Sequence, residues 1–266
     1  MVAMFAMSDA LPAETGQDVR HDARAGFAGL TVGRASGFVQ ANLVLLPQAH
    51  AAYFAAYCLA NAAACPLLAM GEPGAIGLAE LGQDIDLRTD LPAYLVHEGR
   101  KALHTNTIGH VWRDDLVAFA IGCWFGAEAA LAAAGIRMRH VELGLQGPLF
   151  RTDQATVAAG PFHGPLVVLM RPFAREDAGR VAAITGRLPR SHDAPIHQGD
   201  PVLLGIADQD HPDWGEPLRP LGHETALFWP CGLTALAALQ AACLPFFITH
   251  APGAMLVTDI KEGIPT

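Results

Sequence analysis

Residues 160–172 read GPFHGPLVVLMRP, which sets His163 among two glycines and two prolines immediately before an apolar run. Proline limits φ and glycine permits backbone that other residues avoid. Such a frame makes either a tight loop or a fixed seat for an imidazole at a strand edge. Two further histidines share the setting. His250 precedes the Pro-Gly pair of ITHAPG (248–253), and His197 lies in HDAPIHQGDP (192–201) with His192 and Asp200. Imidazole titrates near neutrality and can take or give a proton in a reaction. Sites in α/β folds gather at strand ends, so three histidines at element edges point to proton-transfer chemistry.

The arginines suit carboxylate recognition, because a planar guanidinium matches a carboxylate in two parallel hydrogen bonds. DLRTDLP (86–92) offers Arg88 as a clamp and Asp90 as a proton carrier, unless the acids and the arginine pair with each other in a solvated loop. WRDD (112–115) reads as a helix cap by Asp114 or Asp115, with Arg113 beside a helix N-terminus that could hold an anion. In FWPCGLT (228–234), Cys231 sits between a strand and a helix. The helix dipole there would favour a nucleophilic thiolate, whereas a tight turn would simply bury a small side chain. His192, His197 and Asp200 could meet a metal, but no third or fourth ligand is fixed by spacing, and we expect no metal and no cofactor. GxxxxGK[ST], GxSxG and HExxH patterns do not occur, which removes the phosphate-loop, serine-hydrolase and zincin readings.

Positioning these residues requires elements that alternate along the chain. The sequence predicts a helix or arm over 8–24, a strand at 38–47, a helix before Pro66, a short strand at 66–70 and a hairpin over 93–105 turning at Glu98-Gly99. The Ala-rich run 112–135 reads as the longest helix, and 138–144 as the strand after it. Strands at 165–172, 202–207, 225–230, 246–250 and 255–260 and helices at 175–186 and 233–243 complete the pattern, with a turn at APGA. Most strands are continuous apolar runs, the mark of a sheet covered on both faces. The expected class is therefore α/β: a three-layer sheet covered by helices on both faces, with a smaller α+β subdomain. The shift toward Pro, His and Asp between 145 and 224 places that subdomain there, leaving 1–144 and 225–266 as the main unit.

Composition bounds the rest. The chain has 266 residues, 52% hydrophobic and 16% charged, with a net charge of −9, and this suits a compact domain with a sizeable core. Its only lysines are Lys101 and Lys261, and no basic block exists, which argues against nucleic acid or an anionic membrane as partner. Five cysteines without a CxxC suit reduced thiols. The opening MVAMFAMSDALPAE lacks a basic segment and is too short for a signal peptide, and no apolar run free of charge reaches membrane-spanning length. The expectation is a cytoplasmic protein acting on a small molecule, with a homo-oligomer left open.

QANLVLLP (40–47), CPLL (65–68), DLRTDLP (86–92), WRDDLVAFAIGC (112–123), AGPFHGPLVV (159–168), APIHQGDP (194–201), FWPCGLT (228–234) and THAPGAMLVTD (249–259), taken in order, resemble the YcsI-type hydro-lyase family, also described as D-glutamate cyclase-like. The likeness runs from about residue 20 to residue 260. It implies a three-layer α/β domain with a smaller α+β portion, and a lyase that releases water from a small carboxylic or amino acid. D-Glutamate closing to 5-oxo-D-proline is one such reaction. The resemblance supplies no residue roles, and His192 and Trp124 have none assigned. The chemistry itself demands carboxylate clamps, a base near neutral pKa, a proton donor and hydrogen bonds to an oxyanion. We therefore expect His163 and His250 to handle protons, Arg88 and Arg113 to bind carboxylates, Cys231 and His197 to line the pocket, and Asn42 and Asp90 to orient substrate. His163→Ala is expected to keep the fold and lower turnover at least tenfold. A non-catalytic carboxylate-binding protein and a metal-dependent hydrolase are the alternatives.

Overall fold

The computed structural model describes residues 14–99 and 101–262; the first part of the expected 8–24 helix lies outside them. Helix α1 (Gly16–Arg24) starts at Thr15, whose side chain accepts from the Asp18 N–H while the Asp18 carboxylate accepts from the Thr15 N–H, a reciprocal cap. Then come β1 (Phe38–Pro47), α2 (Gln48–Ala60), β2 (Leu67–Met70) and the hairpin β3 (Tyr94–Glu98) and β4 (Lys101–Thr105).

The run from 112 to 135 is not one helix. It forms β5 (Leu116–Gly122), a 3₁₀ turn (Trp124–Ala127) and the short α3 (Glu128–Ala133). All seven residues of β5 are buried, because the strand lies inside a sheet between β1 and β2. An apolar run buried on all sides carries no period that separates strand from helix. The 138–144 strand is likewise a helix, α4 (Arg139–Leu143), closed by Gly144 at φ 64. Strand β6 (Leu149–Ala155) was not anticipated; β7 (Pro165–Ala174) and α5 (Ala178–Thr185) follow it. After the two-residue β8 (His197–Gln198), the expected 202–207 strand is instead a 3₁₀ turn (Pro201–Leu204), capped by Asp200 and led by Pro201. The chain ends in β9 (Glu224–Pro230), α6 (Leu233–Ala241), β10 (Phe246–His250) and β11 (Leu256–Lys261).

The result is a mixed α/β fold. All strand pairs are antiparallel and fall into two sheets, one ordered β2-β5-β1-β10-β3-β4 with β11 also on β1, the other ordered β6-β7-β9-β8. One face of each sheet meets in the largest apolar cluster, where Val44, Leu46, Phe119 and Ile121 join Val167, Leu169, Leu227 and Trp229, with Phe54 of α2 and Leu236 of α6 between them. The outer face of the large sheet is covered by Leu78, Leu81, Ile85 and Leu87 of an irregular segment. The outer face of the small sheet packs on Leu204 and Ile206. No helix among the described residues is long and apolar enough to cross a membrane.

One departure from regular pairing locates the site. β10 and β11 flank a turn in sequence but do not pair with each other; both lie antiparallel along the same edge of β1. Val44 faces Thr249 and Ala41 faces Leu256. Residues 251–255 loop out between them, so β1 has no strand partner on that side at Asn42 and Leu43.

Candidate active site

Side chains alternate across a strand, so residues in phase with the inter-sheet core point into it. On β1 these are Val44 and Leu46, and Asn42 continues the stripe. Cys123 continues the stripe of Phe119 and Ile121, Arg171 that of Val167 and Leu169, and Cys231 that of Leu227 and Trp229. Four polar or ionisable groups thus enter an apolar interior. With Trp124, Gln146, His192 and His250 they line a cavity of about 30 Å³, room for one or two water molecules. The loop that interrupts the β1 edge supplies Gly253 and Met255 to its wall.

Arg171 dominates the electrostatics. The residue is 2% exposed, and its guanidinium donates to the Met170 carbonyl at 2.8 Å and the Gln146 carbonyl at 2.6 Å. Among the described residues its Nε has no hydrogen-bond partner and no carboxylate pairs with it. Burial pushes its pKa down to about 10, against the pull of Glu128 and the two thiols, so it is still a cation at neutral pH. The ring of Trp124 lies 5.3 Å from it. Gly147 is required here, since a Cβ would stand 2.6 Å from the guanidinium, and its φ is +76.

His250 and His192 line the same cavity and are tethered alike. Nδ1 of His250 lies 3.4 Å from the Leu43 carbonyl, the group left without a strand partner, and Nδ1 of His192 lies 3.0 Å from the Ala63 carbonyl. A carbonyl only accepts, so Nδ1 carries the hydrogen in both rings and Nε2 is the free acceptor. Burial pushes each pKa down to about 4, the carbonyl contact opposing the shift in both cases, so both rings are neutral bases at pH 7. Nε2 of His192 is buried without a partner, as is Nε1–H of Trp124.

The Cys231 thiol is pushed up to about 11, because burial outweighs the Leu233 N–H and Arg171. Its sulfur accepts from that N–H at 3.5 Å, but the sum favours the thiol, and the expected gain in thiolate from the helix end is not realised. Asn42 donates to the carbonyls of Gly122 at 2.8 Å and Ile121 at 3.2 Å. Behind the cavity, Glu128 faces Nε2 of His140 at 3.1 Å and accepts from the Gly33 N–H. Burial raises the Glu128 pKa to about 7 and lowers that of His140 well below its usual value. The two are therefore a hydrogen-bonded neutral pair that shares one proton, not a charged bridge.

Of the residues singled out in the sequence, the cavity brings together Asn42, Cys231 and His250. The others stand elsewhere. His163 is exposed, and the Gly-Pro frame around it serves its neighbour Phe162, which is fully buried with its ring 5.1 Å from that of Phe54. Arg88 is held two-pronged by Asp86, and Arg113 by Asp115 with its guanidinium over Phe246. Asp90 is buried as the acceptor of both Arg24 prongs, near Arg20. His197 packs on Phe228 and contacts the Asp200 carbonyl. Among the described residues, no three His, Cys, Asp or Glu side chains are grouped to hold an ion, and Asp200 caps a turn. Arg171 and Gln146 were missed, and His192 was named without a role in this site. Arg171 had a readable signal, because an arginine inside the apolar run PLVVLMRPFA must be buried, and buried arginine is rare without a purpose.

A family model described as D-glutamate cyclase matches residues 117–259. A Bordetella pertussis protein named "Putative hydro-lyase" is 49% identical over 253 residues, covering 94% of this chain and 91% of its own. This chain belongs to the D-glutamate cyclase family. Relatives of the same name from Burkholderia multivorans and Gluconacetobacter diazotrophicus are 49% and 48% identical over 258 residues, covering 97% and 96% of this chain and 98% and 91% of theirs. The resemblance read from the motifs therefore holds at the level of the family. The matched D-glutamate cyclase span contains Cys123, Arg171, His192, Cys231 and His250, while Asn42 is brought to it by β1. A solved structure of a nitrogen repressor-like protein from Methanococcus jannaschii overlaps 91% of this chain and 98% of its own with a TM-score of 0.38 at 9% identity, too distant a likeness to use.

Proposed function

We propose that the protein is a lyase that closes D-glutamate to 5-oxo-D-proline with release of water, and that the cavity around Arg171 is where this occurs. The observation that carries the reading is a buried guanidinium held only by backbone carbonyls, with Nε unpartnered. Burying a cation without a counter-charge is costly, and a carboxylate ligand removes the cost. The names of the relatives direct the chemistry toward loss of water.

Arg171 binds one carboxylate of the substrate. His250, neutral and with Nε2 free, accepts a proton from the ammonium so that nitrogen can attack the other carboxyl carbon. The Trp124 N–H is a donor available to the oxygen that gains charge in the tetrahedral intermediate. Cys231, held as a thiol, shapes the wall. An amino acid with two carboxylates exceeds 30 Å³, so binding parts the walls. The 251–255 loop is a wall that takes no part in the strand pairing along β1, and its movement would break its bonds to Thr31 and Ala93.

Purified protein incubated with D-glutamate, L-glutamate and a panel of hydroxy acids decides the matter. 5-Oxo-D-proline formed from D-glutamate, or D-glutamate formed from 5-oxo-D-proline, supports the reading. Tight binding without turnover in either direction would favour a carboxylate-binding protein instead.

A further inference from the structure

Cyclisation of glutamate moves two protons from nitrogen to oxygen, which one imidazole can carry only in turn and two can share. The substrate ammonium carries three hydrogens and the product lactam nitrogen one. The C–N bond forms, the C–O bond to one carboxyl oxygen breaks, and the two protons released from nitrogen leave on that oxygen as water. No oxidant or outside acid is needed, but two protons travel from nitrogen to oxygen.

From this balance, which rests on the reading above, we infer that His192 is a second catalytic residue, the partner of His250, and that each imidazole carries one of the two protons. Four observations place it there. Its side chain lines the Arg171 cavity, the residue is 1% exposed, and its Nε2 has no partner. The Ala63 carbonyl fixes its tautomer with Nε2 as acceptor, the arrangement His250 shows against Leu43. The backbone is held in the left-handed region at both His192 (φ 71) and Asp193 (φ 62), a conformation that costs free energy in residues other than glycine and that clusters at functional sites. The segment is not a loose loop, since Asp193 N–H donates to the Leu188 carbonyl and Ser191 is buried.

The titratable groups that share the cavity with His192 are Arg171, Cys123, Cys231 and His250, and Arg190 and Asp193 flank it on its own segment. Cys123 and Cys231 are held as thiols by burial, and Arg171 is a cation. The two imidazoles are then the cavity's only neutral nitrogen bases among the described residues. Among the cavity-lining residues, Arg171, Trp124 and His192 each keep a buried polar atom without a partner among the described residues.

The test is His192→Asn. Asparagine tolerates the left-handed backbone, and its amide can still donate to the Ala63 carbonyl, but it carries no proton at neutral pH. Turnover of D-glutamate, or of 5-oxo-D-proline in reverse, should fall by about 10²-fold or more, with the ligand Kd from thermal shift within about threefold of wild type. Turnover within threefold of wild type overturns the assignment, and leaves the cyclase reading standing if Arg171→Met and His250→Asn are both impaired. Wild-type protein that converts neither compound overturns both together. Nitrogen NMR of the histidine rings in the wild-type protein gives an arm that needs no substitution: resting His192 protonated on Nε2 overturns the role, and protonation on Nδ1 supports it.

Discussion

Replacing Arg171 by methionine should separate the cost of the site from its use. Burial lowers the Arg171 pKa well below the usual guanidinium value, to about 10. Holding the guanidinium charged in the folded protein therefore costs roughly 3 kcal/mol relative to the unfolded chain. Methionine removes that cost, keeps most of the side-chain length and still packs on Trp124. It also strips two carbonyls, Met170 and Gln146, of a donor, a loss of about 1 kcal/mol each. The sum is near zero or slightly stabilising. By contrast, truncating a buried apolar side chain of similar size costs about 2–5 kcal/mol. Urea unfolding of the unliganded protein should place Arg171→Met within about 1 kcal/mol of wild type. D-Glutamate at a hundredfold excess over its Kd should add about 2.7 kcal/mol to wild type. The loss of a charge-assisted hydrogen-bond pair, about 1.5–3 kcal/mol, should weaken the variant's Kd by roughly 10- to 150-fold. If the unliganded variant loses more than 3 kcal/mol, or keeps the full ligand-induced shift, Arg171 is a structural residue and the argument from its orphaned charge fails.

Gly232→Ala tests the Asn42 seat. The position is helical in φ and ψ (−59, −18), so backbone strain plays no part, yet the new Cβ would lie 2.2 Å from Asn42 Nδ2. A loss of about 1–3 kcal/mol is expected in chemical denaturation, most of it absent when Asn42→Ala is already in place. Acid should destabilise the fold through its buried imidazoles. His97, His192 and His250 have folded pKa values of about 4 against 6.5 unfolded, so their contribution is full above pH 6.5 and lost as pH falls toward 4. The Glu128–His140 pair holds about one proton folded or unfolded near pH 5.5 and drops out, leaving uptake of nearly three protons and a slope of up to roughly 4 kcal/mol per pH unit. Unfolding midpoints that stay level from pH 7 to 5 would contradict those shifts. His163→Ala should leave turnover within about twofold of wild type, because the exposed ring does not line the cavity; a tenfold loss in a steady-state assay would restore the role first expected of it.

How much of this the sequence disclosed depended on the physics behind each signal. β1, β7, β9 and α6 were legible, since each is a long apolar run closed by proline or glycine. The segment 112–135 was not, because alanine-rich chain buried on every side looks alike as strand or helix until pairing with β1 decides. Arg88 and Arg113 drew attention as charges beside proline or a helix start, where local ion pairs also form, and the structure shows those pairs with Asp86 and Asp115, whereas Asp90 pairs with Arg24, 66 residues away. Cys231 and His250 stood at strand ends and Asn42 inside β1, and all three did converge. His192 was noticed and given no task, for nothing local says that its ring crosses to Ala63, 129 residues away. Arg171 was overlooked because it sat inside a strand and not at an edge, the very placement that marks it.

The interrupted partner of β1 has a consequence for how this protein can vary. β10 and β11 pair with β1 on either side of the 251–255 bulge, and the bulge itself is packed, with Ala251, Ala254 and Met255 buried and Gly253 at φ 82. Thr31 steadies the bulge from outside, accepting from Met255 and donating to Gly253. Under the proposed function, one wall of the substrate cavity is thus built from chain that the strand pairing leaves out. A swap of this short arc between relatives should shift selectivity if it walls the substrate as proposed, and should lower the melting temperature where Gly253 or Met255 is changed.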